Sequence, residues 1–154
     1  MKQARTFSVL ATSAVAALLL ATAPAMSQLF GGQDLLEPEQ AFRVSARALD
    51  ERNVEVTFRI AEGYYMYRER FSFATQSGQP LAGVIPRGKV KEDQFFGKTE
   101  TFRDFVRIRV PVNAQEAAKG SLNLRVTSQG CSDKGVCYVP LEQTVRVDLP
   151  KGRK

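Results

Sequence analysis

Apolar and polar residues alternate with a period of two over much of the chain. In "FRVSARA" the apolar positions are Phe42, Val44 and Ala46, and in "VEVTFRI" they are Val54, Val56, Phe58 and Ile60. "FVRIRVPV" places Val106, Ile108, Val110 and Val112 in the same way. "LNLRV" repeats the pattern with Leu122, Leu124 and Val126, and "VRVDL" with Val145, Val147 and Leu149. Strict alternation puts one face of each strand in a core and the other in water. Glycine and proline break the runs at Gly63, Gly78, Pro80, Pro86, Gly88, Gly97, Gly120 and Gly130. Helical spacing is confined to "AQEAAK" (114–119) and a turn around Glu39 and Gln40. Short, evenly spaced strands with almost no helix predict an antiparallel β-sandwich. There is no internal repeat or low-complexity tract.

The front end follows a different rule. Lys2 and Arg5 precede "TFSVLATSAVAALLLATAPA", a run without charge. A basic start, an apolar stretch and the small-residue site Ala23-Pro24-Ala25 describe a signal peptide cleaved after Ala25. The densest apolar part, Ala14 to Ala21, is short against the roughly 20 residues of a membrane-spanning helix. The expected organisation is a signal peptide at 1–25, one domain at 26–150 and a polar tail at 151–154.

Charge adds little. The formal net charge is +6, and loss of Lys2 and Arg5 lowers it by two. The remaining basic residues are scattered singly along strands, the usual signature of a solvated sheet face, with no basic, aromatic-interleaved cluster suited to nucleic acid. There is no histidine. That excludes histidine acid–base catalysis and every histidine-containing metal site.

The candidate chemistry lies in "SQGCSDKGVCYVP", which holds the only cysteines, Cys131 and Cys137. In an exported chain they face an oxidising compartment, where a disulfide persists. Closing so short a loop stabilises by about 2–2.5 kcal/mol on the chain-entropy estimate, against about 4.7 for 100 residues. The pair is a modest staple and is suited to a local switch; spacing alone leaves both readings open. Gly130 and Gly135 are expected to bend the loop and leave the sulfurs uncrowded. Lys134 favours a thiolate and Asp133 opposes it.

Two aromatic segments join this candidate. "EGYYMYRERF" carries Tyr64, Tyr65 and Tyr67, and the fourth tyrosine, Tyr138, follows Cys137. Tyr65 and Tyr67 share a face of any strand and could either fill the core or present hydroxyls to the sulfurs. "KEDQFFGKTE" sets Phe95 and Phe96 at a polar turn. One of the two can point into the core and the other, by alternation, should not. They either form a satellite hydrophobic cluster under a loop, or one aromatic side chain closes as a lid over the disulfide with Gly97 as its hinge.

"EPEQAF", "GYYMYRERF", "EDQFFGKTETFRD" and "QGCSDKGVCYVP", in that order, resemble the N-terminal periplasmic domain of the thiol:disulfide interchange protein DsbD family. The resemblance implies an immunoglobulin-like β-sandwich with an active-site insertion. It implies a Cys131/Cys137 pair that cycles between dithiol and disulfide, with Cys137 bonding the partner and Cys131 resolving the mixed disulfide. It also implies Phe95 as the cap, and Tyr65, Tyr67, Asp93, Phe96 and Tyr138 around the site. The expected partners are thioredoxin-like periplasmic proteins of the disulfide-isomerase or cytochrome c maturation type, with a separate membrane thiol transporter as electron donor. No cofactor or metal is needed. The sequence departs from the family pattern at Gln94, Phe96 and Val139. The competing reading is a non-catalytic β-sandwich binding module with a structural disulfide; a weaker one is a soft-metal carrier holding Cu(I) on both thiolates.

Overall fold

The computed structural model describes residues 35–150; the expected signal peptide and polar tail lie outside the described residues. After one helical turn, α1 (Pro38–Ala41), the chain enters β1 (Phe42–Asp50) and returns antiparallel in β2 (Asn53–Ile60). Asp50 holds the turn by accepting the Arg52 amide at 2.8 Å. With β8 (Phe105–Pro111) these strands form a sheet ordered β1-β2-β8. The opposing sheet is ordered β12-β9-β4-β5, from β12 (Leu141–Asp148), β9 (Ser121–Ser128), β4 (Ser72–Thr75) and β5 (Pro80–Leu81). A short helix, α2 (Ala114–Ala117), bridges the two sheets in sequence, with Asn113 Oδ1 accepting the Glu116 amide at its start.

The core between the sheets is made of the alternating positions. Val54, Val56, Phe58, Val106, Ile108, Val110, Leu122, Leu124 and Val126 are buried, joined by Phe42, Phe71 and Phe73. Both expected helical segments form, each as a single turn.

A third sheet carries the segments singled out for chemistry. Its order is β11-β10-β3-β7-β6, from β3 (Tyr64–Tyr67), β6 (Lys89–Asp93), β7 (Gly97–Phe102), β10 (Gly130–Ser132) and β11 (Val136–Cys137). The cysteine segment is therefore a small paired ribbon, where the sequence suggested a loop. Gly135 bends it, with φ at 81°. Gly130 serves a different purpose from the bend expected of it. A Cβ there would run into the Tyr65 carbonyl oxygen and the Phe42 ring, so its bare Cα lets β10 lie close against β3 and the core. Gly130→Ala is expected to lower stability by about 1–3 kcal/mol through overpacking, measured by urea unfolding.

A candidate disulfide site

All four residues of β3 are buried. Alternation sends Tyr64 and Met66 into the sandwich core and Tyr65 and Tyr67 to the opposite face, where they pack with Cys131 in a second cluster. β10 pairs with β3 so that Cys131 stands opposite Tyr65, and β11 folds back so that Cys137 stands opposite Cys131. The two sulfurs are joined in a disulfide across this ribbon. The sulfurs differ in environment: Cys131 is fully buried, and Cys137 is partly exposed.

The Tyr67 hydroxyl lies 3.0 Å from Cys131 Sγ and 3.8 Å from Cys137 Sγ. A cystine sulfur has no proton, so the hydroxyl donates. Burial, then the Tyr65 and Asp93 neighbours, push the Tyr67 pKa well above its ordinary value. Tyr67 therefore keeps its proton and remains a donor across the working pH range.

Asp93 organises the turn beside the ribbon. Its side chain is almost wholly enclosed, 1% exposed. It accepts the Tyr65 hydroxyl at 2.8 Å and the Phe95 and Phe96 amides at 2.8 and 3.3 Å, and Lys91 Nζ lies 3.4 Å away. Burial alone would raise its pKa, but these hydrogen bonds outweigh it and hold the carboxyl below the ordinary value. Gln94, Phe95 and Phe96 form the loop between β6 and β7, closed by Gly97 at φ 66°. Three-residue hairpin loops ending in a left-handed glycine are a favoured class. A cleft of about 230 Å³ separates this loop from the cysteine ribbon, lined by Tyr65, Lys91, Asp93, Gln94, Asp133 and Gly135 among others.

Neither phenylalanine takes the core position open to one of them. Phe95 and Phe96 are 47% and 38% exposed, because the Asp93 carboxylate binds both their amides and turns the loop outward. Phe96 sets its ring edge-on to Tyr67, centroids 4.7 Å apart, with the Arg70 guanidinium 4.4 Å from its centre. Tyr138 does not join the group. It packs against Phe42 and Tyr64 on the core side and donates its hydroxyl to the Leu36 carbonyl at 2.6 Å. Burial and the Tyr64 hydroxyl push its pKa to about 12. Being next in sequence to Cys137 turns it to the opposite face.

Three cations at the site were not singled out in the sequence. Arg103 grips Asp133 with two bonds of 2.9 and 2.6 Å, reaches the Tyr64 carbonyl and lies 5.1 Å from the centre of the Tyr65 ring. This bond to Arg103 holds the Asp133 carboxyl below its ordinary pKa and offsets its opposition to a nearby thiolate. Lys91 sits 3.5 Å from the centre of the Tyr65 ring, and Arg70 covers Phe96. No local signal marks them, since isolated charges on strands read as solvent-facing. Among the described residues no cluster of three His, Cys, Asp or Glu could hold a metal ion.

Fold and site together define a β-sandwich domain with a cystine on a short ribbon, half enclosed beside an aromatic turn. The family described as "Thiol:disulfide interchange protein DsbD, N-terminal" matches residues 32–149, and the chain belongs to it. It is 48% identical over 136 residues to the thiol:disulfide interchange protein DsbD of Ralstonia nicotianae, covering 85% of this chain and 22% of that one. With DsbD 1 of Pseudomonas aeruginosa it shares 39% identity over 149 residues, 88% of this chain and 24% of that one. The chain thus spans less than a quarter of the length of these relatives. The reduced N-terminal domain of Neisseria meningitidis DsbD superposes with a TM-score of 0.63 at 34% identity, covering 75% of this chain and 90% of the other. That likeness makes the sandwich immunoglobulin-like. A complex of the DsbD and PilB N-terminal domains from the same organism gives 0.59 at 35% identity, covering 72% and 85%.

Asp93→Ala strips four groups of their acceptor. It should lower stability by about 1–3 kcal/mol and speed amide exchange at Phe95 and Phe96, read by urea unfolding and hydrogen exchange. Acid should act in the same direction. The contributions of Asp93 and Asp133 are complete above the ordinary carboxyl value of 3.8 and are lost as pH falls through their lower folded values. An acid titration followed by tyrosine fluorescence checks the window.

Proposed function

We propose that this chain relays reducing equivalents in the periplasm through Cys131 and Cys137, after removal of residues 1–25. Electrons enter from a thioredoxin-like donor linked to a membrane thiol transporter. They leave to thioredoxin-like periplasmic proteins of the disulfide-isomerase or cytochrome c maturation type. The observation that carries this reading is the asymmetry of the pair: Cys137 partly exposed, and Cys131 buried with the Tyr67 hydroxyl 3.0 Å from its sulfur. A solved complex of a related domain with a PilB N-terminal domain adds support for docking to another protein.

The chemistry follows from the geometry. A donor thiolate attacks Cys137 Sγ, the reachable sulfur. The Cys131–Cys137 bond breaks, and its electron pair leaves on Cys131 Sγ as a thiolate. Tyr67 donates a hydrogen bond to that developing charge, which lowers the cost of its formation inside the cluster. The donor's second thiolate then attacks the mixed disulfide, leaving the donor oxidised and Cys131 and Cys137 reduced. In the forward transfer Cys137 attacks the acceptor's disulfide, and Cys131 resolves the adduct. Two electrons pass at each exchange, with no cofactor. Phe95 and Phe96, with Gly97 as hinge, act as the cap, which a partner must displace to bring its own sulfur into line with Cys137 Sγ; the lid slows wasteful oxidation of the dithiol between encounters. Tyr65 and Asp93 hold the closed turn.

Cys131→Ser should trap a covalent adduct with a thioredoxin-like periplasmic protein through Cys137, seen on non-reducing gels and by mass spectrometry. Cys137→Ser should trap none. If neither variant forms an adduct, and the folded native chain resists dithiols, the bridge is structural and the relay is wrong.

A further inference from the structure

Away from the disulfide, strand register gathers charges that lie apart in the sequence. The outer face of the β1-β2-β8 sheet consists of four cross-strand rows: Arg43, Arg59 and Phe105; Ser45, Thr57 and Arg107; Arg47, Glu55 and Arg109; and, past an irregularity in β1, Asp50, Asn53 and Pro111. Five arginines and no lysine share this face with two carboxylates, Glu55 and Asp50. Glu55 is taken by Arg47 at 2.8 Å. Among the described residues Arg43, Arg59, Arg107 and Arg109 form no ion pair. Arg109 feels Asp50 only at a distance, and Arg107 lies 5.1 Å from the centre of the Phe105 ring. Arg43 and Arg59 stand directly opposite each other, a like-charge pair that costs stability in a sheet.

We propose that this face docks on the anionic phospholipid surface of a membrane. Strands about 4.8 Å apart, with same-face residues about 6.8 Å apart along each, spread the guanidinium groups over a plane of roughly 10 by 14 Å. One small anion cannot bridge that span; a layer of phosphate headgroups matches it. The guanidinium fork pairs with phosphate oxygens two at a time, and an anion between Arg43 and Arg59 removes their repulsion. Phe105, 55% exposed at a corner of the face, supplies an aromatic ring of the kind that settles at a headgroup boundary. The arginines stand around Thr57 rather than at the centre, a spacing that a layer of repeated headgroups meets at many points and one acidic segment laid across the middle does not. The inference does not depend on the cysteines.

The test is sedimentation of the full chain with vesicles of phosphatidylcholine alone or mixed with phosphatidylglycerol. The readout is the ratio of the two affinities, because the apolar N-terminal run partitions into either. The ratio should favour phosphatidylglycerol and shrink as salt rises. The double variant Arg59→Gln with Arg107→Gln should cut it by about 25-fold, about fivefold for each arginine. Its thermal unfolding should not fall below the parent's, because Arg59→Gln relieves the repulsion from Arg43, and its reactivity toward a dithiol should stay as in the parent. No preference for phosphatidylglycerol at low salt overturns the proposal, as does a folded double variant that keeps the full preference. Binding to immobilised polyglutamate without binding to vesicles also overturns it, in favour of an acidic protein partner.

Discussion

Strand β3 is enclosed on both faces, and the site depends on that. Its four residues, Tyr64 to Tyr67, have no solvent side. One face completes the sandwich core through Tyr64 and Met66; the other builds the small cluster around Cys131 through Tyr65 and Tyr67. The two clusters share one backbone, so the sandwich supplies the rigidity with which the Tyr67 hydroxyl is held against Cys131 Sγ. A close-packed core resists small displacements. The ribbon bearing the cysteines borrows that stiffness by pairing with β3 along Gly130, Cys131 and Ser132.

Around this wall the electrostatics are arranged in a short chain. The Asp93 carboxylate ties the Tyr65 hydroxyl to the amides of the aromatic turn, and Lys91 covers the Tyr65 ring. On the far side Arg103 ties the ribbon tip, Asp133, back to the Tyr64 carbonyl. A buried carboxylate survives only where hydrogen bonds replace water, and Asp93 has them from its own turn and from β3. The turn beside the ribbon is thereby fastened at its base, while Phe95 and Phe96 at its tip stay half exposed.

Much of this was legible in the linear sequence. Period-two alternation named the core positions of β1, β2, β8, β9 and β12, because a strand with one wet face must alternate. The two-residue spacing of Tyr65 and Tyr67 put them on one face, and "QGCSDKGVCYVP" with the upstream aromatic segments pointed to the family. Other features were not legible. Tyr138 follows a cysteine and faces away from it. Phe95 and Phe96 both stay out of the core, held outward by a carboxylate that only folding brings under their amides. Gly130 has a neighbour in space, Phe42, far off in sequence.

The sequence by itself determined the alternation and the sandwich-forming strands, since these follow from local spacing and residue type; that the cysteines and the tyrosine-rich segment belong to one site was only what the family resemblance implied. Tertiary structure alone decided which sulfur is buried, which hydroxyl meets it, and that arginines scattered over three strands stand together on one face. Those are matters of register between segments distant along the chain. Hydrogen-bonded pairing sets register, and no local window contains both partners.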